Sequence, residues 1–218
     1  MDKSVSSRAL ELRNRILEMG FPCAVSFPPF AADHLRPVLC ILTFQDALGI
    51  IRHSPFDDVP ALACGEGYVN SLYHAELFPS TEAMLQKMEH YIFEYLHTEK
   101  KLYFGIPGYI LPSGFSINRF QIYYRMFSLE LTEREKRILR LILYTPDIPH
   151  SYRRIEAYCF PYPYHENPYD AVNTIAAQVS TINRKAVKNA GKKILRYQGT
   201  GKDNGYILHV RKPNAKKK

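Results

Sequence analysis

Tryptophan is absent from the sequence, and cysteine occurs only four times in 218 residues. The cysteines show no CxxC spacing, and three of the four lie in apolar runs; they are Cys23, Cys40, Cys64 and Cys159. This pattern predicts buried thiols in a reducing compartment, not a disulfide framework or a thiolate metal site.

Long hydrophobic runs are also absent. No apolar stretch reaches the length that a membrane-spanning helix needs. The first twenty residues carry charges throughout, unlike a secretory signal. The sequence therefore predicts a cytoplasmic protein that does not interact with a membrane.

Sequence signatures of catalysis are missing as well. There is no glycine-rich phosphate-binding loop, no HExxH pair and no GxSxG nucleophile elbow. The eight histidines lack the spacing of metal ligands. We therefore expect no enzyme activity, no bound metal and no cofactor.

Charge is distributed unevenly along the chain. Residues 1–103 hold 9 Lys and Arg against 13 Asp and Glu, whereas residues 104–218 hold 20 against 8. The asymmetry predicts two domains, the second of which faces a polyanion. Seven cations fall within 19 residues and favour a nucleic acid as the partner, namely Arg184, Lys185, Lys188, Lys192, Lys193, Arg196 and Lys202.

The second half carries clear secondary-structure signals. YFGIPGYILPSGFSINRFQIYYRMFSLEL predicts short antiparallel strands. Thr132 and Glu135 match a capping box, and the apolar residues of RILRLIL follow at helical spacing. HSYRRIEAYCF predicts a second, shorter helix, and PYPYHENPY predicts a loop over 161–169.

A third helix is predicted over 168–190, with Asn167 as N-cap, Pro168 in the first turn and Gly191 as the stop. At about 100° per residue, one side carries Val172, Ile175, Ala176, Val179, Ile182 and Ala186. The opposite side carries Thr174, Gln178, Thr181, Lys185 and Lys188, with Arg184 at its edge and no carboxylate. This composition suits an anionic partner, and an α-helix fits the DNA major groove. An ordinary solvent-exposed face stays open as the alternative.

The chain then predicts a β-hairpin followed by a basic tail over 212–218. In KKILRYQGTGKDNGYILHV, two short runs with apolar and aromatic residues flank a loop of Gly, Asp, Asn and one Lys.

In this order, residues 103–211 resemble the winged-helix DNA-binding domain of OmpR/PhoB-type response regulators. LELTEREKRILRLIL resembles the start of the family's first helix, AQVSTINRK its recognition helix, and NGYIL the end of its wing. The resemblance implies that helix 168–190 reads the major groove of double-stranded DNA, and that the wing, 194–210, lies on the minor groove and backbone. It also implies a homodimer, and contact between loop 161–169 and RNA polymerase, although this loop can equally pack on its own domain.

The resemblance also implies which residues bind DNA. Gln178, Thr181, Arg184 and Lys185 match the stretch that meets the bases, although Thr181 stands where the family often has Arg. The full implied set is Thr174, Gln178, Thr181, Arg184, Lys185, Lys188, Lys192, Lys193, Arg196, Lys202 and Tyr206.

The first half alternates helix and strand patterns. SSRALELRNRILEMG predicts a helix with Leu10, Leu12 and Ile16 toward a core, and STEAMLQKMEHYIFEYLHTEK predicts an amphipathic helix capped by Ser80 or Thr81. VLCILTF and VPALACG predict buried parallel strands, PCAVSF a short strand and DALGIIRHS a helix. Such alternation predicts an open α/β sheet.

Residues 1–102 resemble a response-regulator receiver domain that lacks the receiver's chemistry. VLCILTF, VPALACG and ELFPS resemble its third, fourth and fifth strands. Thr43 stands where the phosphorylated Asp is usual, Cys64 or Gly65 where a Ser or Thr is usual, and Phe78 where a Lys is usual. Without these groups an acyl phosphate and its Mg²⁺ lack their ligands. The resemblance implies a pseudo-receiver, either a dimerisation module or a binding module for a protein or small molecule.

The sequence thus predicts an α/β receiver-like domain followed by an α+β winged-helix domain, in an atypical response regulator that controls transcription. Two alternatives stay open. One is an architectural DNA-binding protein of low specificity, and the other is a pseudo-receiver interaction module whose basic face meets an acidic protein or RNA. Loss of discrimination between DNA sites on Gln178→Ala would favour the transcriptional regulator over both alternatives.

Overall fold

Five helices and ten short strands form within the residues that the computed structural model describes. Those residues are 3–25, 39–42, 61–64, 75–97, 102–103, 106–107, 111–117, 121–161, 167–199 and 204–209. The elements belong to two units, one made of Met1–Arg13 and Val25–Ile110 and the other of Asn14–Ala24 and Leu111–Lys218. The second unit is thus built from two separate pieces of the chain.

Three short parallel strands form a sheet in the first unit. Strands β1 (Cys40–Leu42), β2 (Ala61–Cys64) and β3 (Ala75–Phe78) lie side by side in chain order. The strands expected in VLCILTF, VPALACG and ELFPS are confirmed, as is the parallel pairing of an open α/β sheet. Burial is confirmed for Ala61–Ala63 of β2, but Cys40 and Ile41 of β1 are only half-buried. The helix predicted in DALGIIRHS lies outside the described residues.

Helix α1 (Lys3–Glu18) begins the described chain, and helix α2 (Thr81–His97) follows β3 and packs on β2 and β3. The Ser80 hydroxyl accepts the Ala83 N–H at 3.2 Å, which confirms Ser80 as the cap of α2. The buried residues of α2 recur at helical spacing, as expected of an amphipathic helix, and comprise Met84, Leu85, Met88, Tyr91 and Ile92.

Strands β4 (Leu102–Tyr103) and β5 (Ile106–Pro107) form an antiparallel pair. Both strands lie in the first unit, so the division at 110/111 differs from the predicted boundary at 102/103.

The second unit contains a three-stranded antiparallel meander. Its strands are β6 (Phe115–Ile117), β7 (Ile122–Tyr124) and β8 (Phe127–Ser128). The short antiparallel strands predicted in this stretch are confirmed. The two-residue turn between β7 and β8 consists of Arg125 and Met126, which have φ angles of 52° and 71°.

Three helices follow the meander and pack on one another: α3 (Glu133–Tyr144), α4 (Tyr152–Cys159) and α5 (Pro168–Ala190). The predicted capping box of α3 is present, because the Thr132 N–H donates to Glu135 Oε2 at 2.7 Å and the Glu135 N–H donates back to the Thr132 hydroxyl at 3.4 Å. None of the described helices has the length and apolar composition to cross a membrane.

The bounds predicted for α5 are confirmed at both ends. The Asn167 side chain accepts the Tyr169 N–H at 3.0 Å, and Gly191 ends the helix with a φ of 69°. A residue with a side chain is disfavoured at such a φ angle, which explains the glycine.

The predicted hairpin is confirmed as strands β9 (Leu195–Gln198) and β10 (Gly205–Leu208), which pair antiparallel. Residues 200–203 of its loop lie outside the described residues. His150 extends the pairing, because its backbone N–H and carbonyl each bond Tyr206 at 2.9 Å. A Cβ atom on Gly205 would collide with the His150 backbone, so this approach requires glycine.

The N-terminal segment differs most from the prediction. The buried residues of α1 are Ala9, Arg13, Ile16 and Leu17, whereas Leu10 and Leu12 are only half-buried. Residues 22–25 form no strand, so the strand predicted in PCAVSF is wrong over its described part. Residues 14–24 also belong to the second unit rather than to a domain 1–102.

The described cysteines fit the predicted buried thiols only in part. Cys159 is buried, while Cys23 and Cys40 are half-buried, and none of the three forms a disulfide.

Candidate nucleic-acid interface

Helix α5 buries one narrow stripe in the second unit. The buried residues recur every three or four positions and are Ala171, Ile175, Val179, Ile182 and Ala186. Val172 and Ala176, which were predicted on the same side, are half-buried. The stripe confirms four of the six predicted core positions and centres on Ile175 and Ile182.

The side of α5 opposite that stripe is open to solvent. Tyr169 and Asp170 are exposed in the first turn of α5. The exposed residues that follow, which we call the α5 surface, are Asn173, Ala177, Ser180, Arg184, Val187 and Lys188. Their spacing of three or four residues follows the helical period, so they form one line along the helix. Two predicted DNA contacts, Arg184 and Lys188, lie on this line.

Three other predicted contacts lie on a flank of α5 and are half-buried: Thr174, Gln178 and Thr181. The same flank, farther along the helix, is covered by the segment that leads from β8 into α3, because Asn189 Nδ2 donates to the Ser128 carbonyl at 2.6 Å. The prediction therefore misplaced the exposed side of the helix, because it put Thr174, Gln178 and Thr181 in the middle of that side and they lie on its flank.

Lys185 lies on the covered flank and is held by groups of its own unit. Its ammonium donates to Glu135 Oε2 at 2.6 Å and to the Glu130 carbonyl at 2.9 Å. Glu135 is buried and also closes the capping box of α3. Lys185 therefore fastens α5 to the start of α3, and the structure does not support its place among the predicted DNA contacts.

The remaining predicted cations lie in the hairpin and in the residues that lead into it. Lys193 and Arg196 are exposed, and Lys192 is half-buried. Lys202 lies outside the described residues. The exposed pair extends the cationic character of the α5 surface into the hairpin.

Tyr206, also predicted to contact DNA, is buried instead. Its ring packs edge-on against Tyr152 of α4 and Tyr197 of β9, with centroid distances of 5.6 and 5.2 Å. Burial raises the pKa of Tyr206 above its usual range, and the hydrogen bond to the Tyr152 hydroxyl raises it further. Tyr206 holds the hairpin against α4 and is not available to bind a partner.

After Asp170 in the first turn of α5, the charge around the α5 surface is of one sign. The sequence has no Asp or Glu from Ala171 to Lys202. Within the described part of the chain, the four exposed cations Arg184, Lys188, Lys193 and Arg196 form no ion pair with a carboxylate. Their charge is therefore not neutralised by neighbouring described groups.

Other cations of the second half serve the fold. Lys136 pairs with Glu133 at 2.6 Å. Arg137 donates to the Leu17 carbonyl at 2.7 Å, and Arg140 donates to the Gly20 carbonyl at 2.6 Å. The net charge of the second half thus overstates the charge available to a polyanion.

Two of the three positions that the sequence resemblance compared with a receiver's phosphorylation site lie side by side at the carboxyl ends of β2 and β3. Cys64 ends β2, Phe78 ends β3, and their Cα atoms are partners in the strand register. Thr43, the third position, lies outside the described residues. No group of three or more His, Cys, Asp or Glu among the described residues could hold a metal ion.

Comparisons with known proteins do not assign the chain to a family. No protein-family model matches it, and no curated protein sequence matches it. One solved structure, described as belonging to "a novel family of redox sensors in the streptococci evolved from two-component response regulators", aligns over 78% of this chain and 77% of its own at 12% identity. The TM-score of this alignment is 0.36, too low to support an argument about fold or function.

Sequence reasoning missed Asn173, Ala177 and Ser180 on the exposed line. Two of the three have small side chains that carry no charge, so a search for cations and long polar groups passes over them. Their signal was spacing, because Asn173, Ala177 and Ser180 lie eleven, seven and four residues before Arg184 and therefore on its side of the helix.

Proposed function

We propose that the second unit binds double-stranded DNA, with the α5 surface in the major groove and the β9–β10 hairpin on the backbone. The observation that carries this proposal is the exposed line on α5, which holds no acid after Asp170 and whose unpaired cations continue into the hairpin. The phosphate backbone of DNA is a polyanion, so such a concentration of positive charge strengthens binding to it.

Shape supports a duplex as the partner. The major groove is wide enough for an α-helix, provided that the inserted face is not obstructed. The middle of the α5 surface presents Ala177 and Ser180, whose small side chains allow the helix backbone to approach base edges closely. The long cationic side chains of Arg184 and Lys188 lie toward the C-terminal end of α5, where they can reach guanine edges or phosphates.

Each residue has a role set by its chemistry. Arg184 suits guanine, Asn173 suits adenine, and the Ala177 methyl suits the thymine methyl group. Lys193 and Arg196 serve as phosphate contacts, which position a protein on DNA without selecting sequence. Gln178 and Thr181 lie at the rim of the contact.

Substitutions at a proposed base contact and at a proposed phosphate contact test this assignment. Arg184→Ala should weaken binding to a selected site and lower discrimination against random DNA by about 1–3 kcal/mol. Lys193→Ala should weaken binding to all sequences equally and reduce the salt slope by about one unit.

Lys185→Ala is the matched control, because it removes a cation of the same helix that is already paired with Glu135. It should lower stability while leaving the salt slope of the folded protein unchanged. Titrations of fluorescent duplexes at several salt concentrations measure these effects. Equal effects of Arg184→Ala and Lys185→Ala on the slope and on discrimination would refute the proposed interface.

We also propose that the protein acts as a dimeric transcriptional regulator without uptake of phosphate, and that the predicted loop 161–169 contacts RNA polymerase. Residues 162–166 of this loop lie outside the described residues, and Pro168 and Tyr169 begin α5. The replaced receiver positions support the first point, since Cys64 and Phe78 end adjacent strands where phosphotransfer would need other groups. Incubation with a small phosphodonor and Mg²⁺ should leave the intact mass unchanged. Asp46, three residues after Thr43, is the nearest acid to the replaced position. A gain of one phosphoryl group that is lost on Asp46→Ala would overturn this part.

A further inference from the structure

The Asn183 side chain joins α5 directly to the first residues of β9. Its Oδ1 accepts the Ile194 N–H at 3.0 Å and the Leu195 N–H at 2.9 Å. Its Nδ2 donates to the Leu195 carbonyl at 2.9 Å. One side chain therefore satisfies three backbone groups at the point where the chain enters the hairpin.

These hydrogen bonds have the pattern of an added strand. The amide of Asn183 offers an acceptor and a donor to both polar groups of Leu195, as a neighbouring backbone would. Ile194 and Leu195 are buried, so an unbonded N–H or carbonyl there would carry a desolvation penalty. The arrangement fixes where β9 begins relative to the axis of α5.

The two residues that follow these anchor points are cations of the proposed interface. Arg184 follows Asn183 on α5, and Arg196 follows Leu195 on β9. Both are exposed and unpaired within the described residues. A fixed contact between Asn183 and Leu195 therefore fixes the spacing between the cation of the helix and the cation of the hairpin.

We propose that Asn183 is a positioning residue that holds Arg184 and Arg196 at the spacing required to engage one DNA duplex together. The inference rests on the proposed function. Its consequence is energetic coupling, because two cations held on a rigid frame contact the same duplex as a unit.

Other contacts hold the remaining parts of the frame. Lys185 and Asn189 fasten α5 to the segment 128–135, and the backbone pairing with His150 fastens β10. Loss of Asn183 therefore releases the start of β9 from α5, while α5 and β10 keep their anchors and β9 keeps its pairing with β10, in which the His209 N–H donates to the Ile194 carbonyl at 2.7 Å. This separation makes a positioning role distinguishable from a general role in stability.

A double-substitution cycle in the full chain measures the coupling. Arg184→Ala, Arg196→Ala and the double variant are titrated against a mixed-sequence DNA duplex, first with native Asn183 and then with Asn183→Ala. With Asn183 present, the double variant should lose less affinity than the product of the single losses, by about twofold or more. With Asn183→Ala, the losses should multiply.

Asn189→Ala is the matched control, because it removes an asparagine of the same helix whose bond lies on the covered flank. It should leave the coupling intact. Asn183→Asp keeps an acceptor oxygen for the Ile194 and Leu195 N–H groups and loses the donor to the Leu195 carbonyl. This variant decides the question if Asn183→Ala does not fold. It should reduce the coupling only in part.

Hydrogen exchange gives a readout that does not depend on DNA. In Asn183→Ala the amides of Ile194 and Leu195 should exchange about tenfold faster, while the Tyr206 amide stays protected. Coupling that persists in folded Asn183→Ala, or unchanged exchange at both amides, would overturn the positioning role. If neither arginine substitution weakens binding in the native background, the proposed function fails together with this inference.

Discussion

Arg184 and Lys185 are adjacent in sequence but have opposite surroundings. Arg184 lies on the exposed line of α5, whereas the Lys185 ammonium contacts a buried carboxylate at 2.6 Å. The sequence marks both as cations near a helical polar face, and nothing local separates them. The separation depends on Glu135, fifty residues earlier, so only the tertiary structure reveals it.

Burial of His150 makes the stability of the fold depend on pH. It is buried, its Nε2 lies 2.9 Å from the Thr145 hydroxyl, and its backbone pairs with Tyr206. Burial lowers the pKa of His150 from 6.5 to about 4; a hydrogen bond with the Thr145 backbone opposes this shift, and the charge of Arg154 adds to it. The folded protein thus holds His150 neutral at pH values where the unfolded chain protonates it.

The resulting stability is fully present above about pH 6.5 and is lost as pH falls toward 4, because the unfolded state then binds the extra proton. The loss should approach about 3 kcal/mol. Urea unfolding followed by circular dichroism between pH 7 and 4 should show this slope in the native chain and a reduced slope in His150→Gln. His209→Gln, at an exposed position, is the control. Identical slopes in all three proteins would rule out His150 as the source.

At the scale of elements, α3 shows what hydrophobic periodicity predicts and what it cannot. The apolar face with Ile138 and Ile142 was predicted and is fully buried. The opposite, basic face is also buried, because Arg137 and Arg140 bond the carbonyls of Leu17 and Gly20. That cover comes from a segment about 120 residues away in the chain, and no local pattern indicates it.

Phe21 tests the contribution of this segment. Its ring is buried and lies 4.5 Å from the Arg140 guanidinium carbon, so it supplies both apolar contact and a cation–π interaction. Phe21→Ala should lower the free energy of unfolding by about 3–5 kcal/mol. Glu18→Ala, at an exposed position of the same segment, should change it by less than about 0.5 kcal/mol. Urea denaturation compares them, and similar values would show that the segment adds little to the second unit.

The turn between β7 and β8 gives a second element-scale prediction. Arg125 and Met126 both have positive φ angles, which favour Asn and Gly in a two-residue hairpin turn. Met126 is 93% exposed, so its side chain adds no packing. Met126→Gly should therefore raise stability by about 1 kcal/mol. Met126→Ala, which keeps the Cβ atom, should not; a gain in both variants would place the effect elsewhere.

At the scale of the whole molecule, the elements that depend on neighbouring residues were predictable. The capping box of α3, both ends of α5 and the hairpin follow from short sequence signals, and all are confirmed. The two-piece second unit and the centre of the exposed face of α5 were not predictable, because both depend on contacts distant in sequence. The same limit applies to charge, since composition counts Lys136, Arg137 and Arg140 as if they faced solvent.

Sequence-dependent DNA binding by the α5 surface is the central claim. The most direct test is retention of sheared genomic DNA on the purified protein at about 0.2 M salt, followed by sequencing, with Arg184→Ala in parallel. We predict enrichment of a few fragments that share a repeated motif, and loss of that enrichment in Arg184→Ala. Uniform retention that vanishes with salt, or enrichment unchanged by Arg184→Ala, would contradict the account.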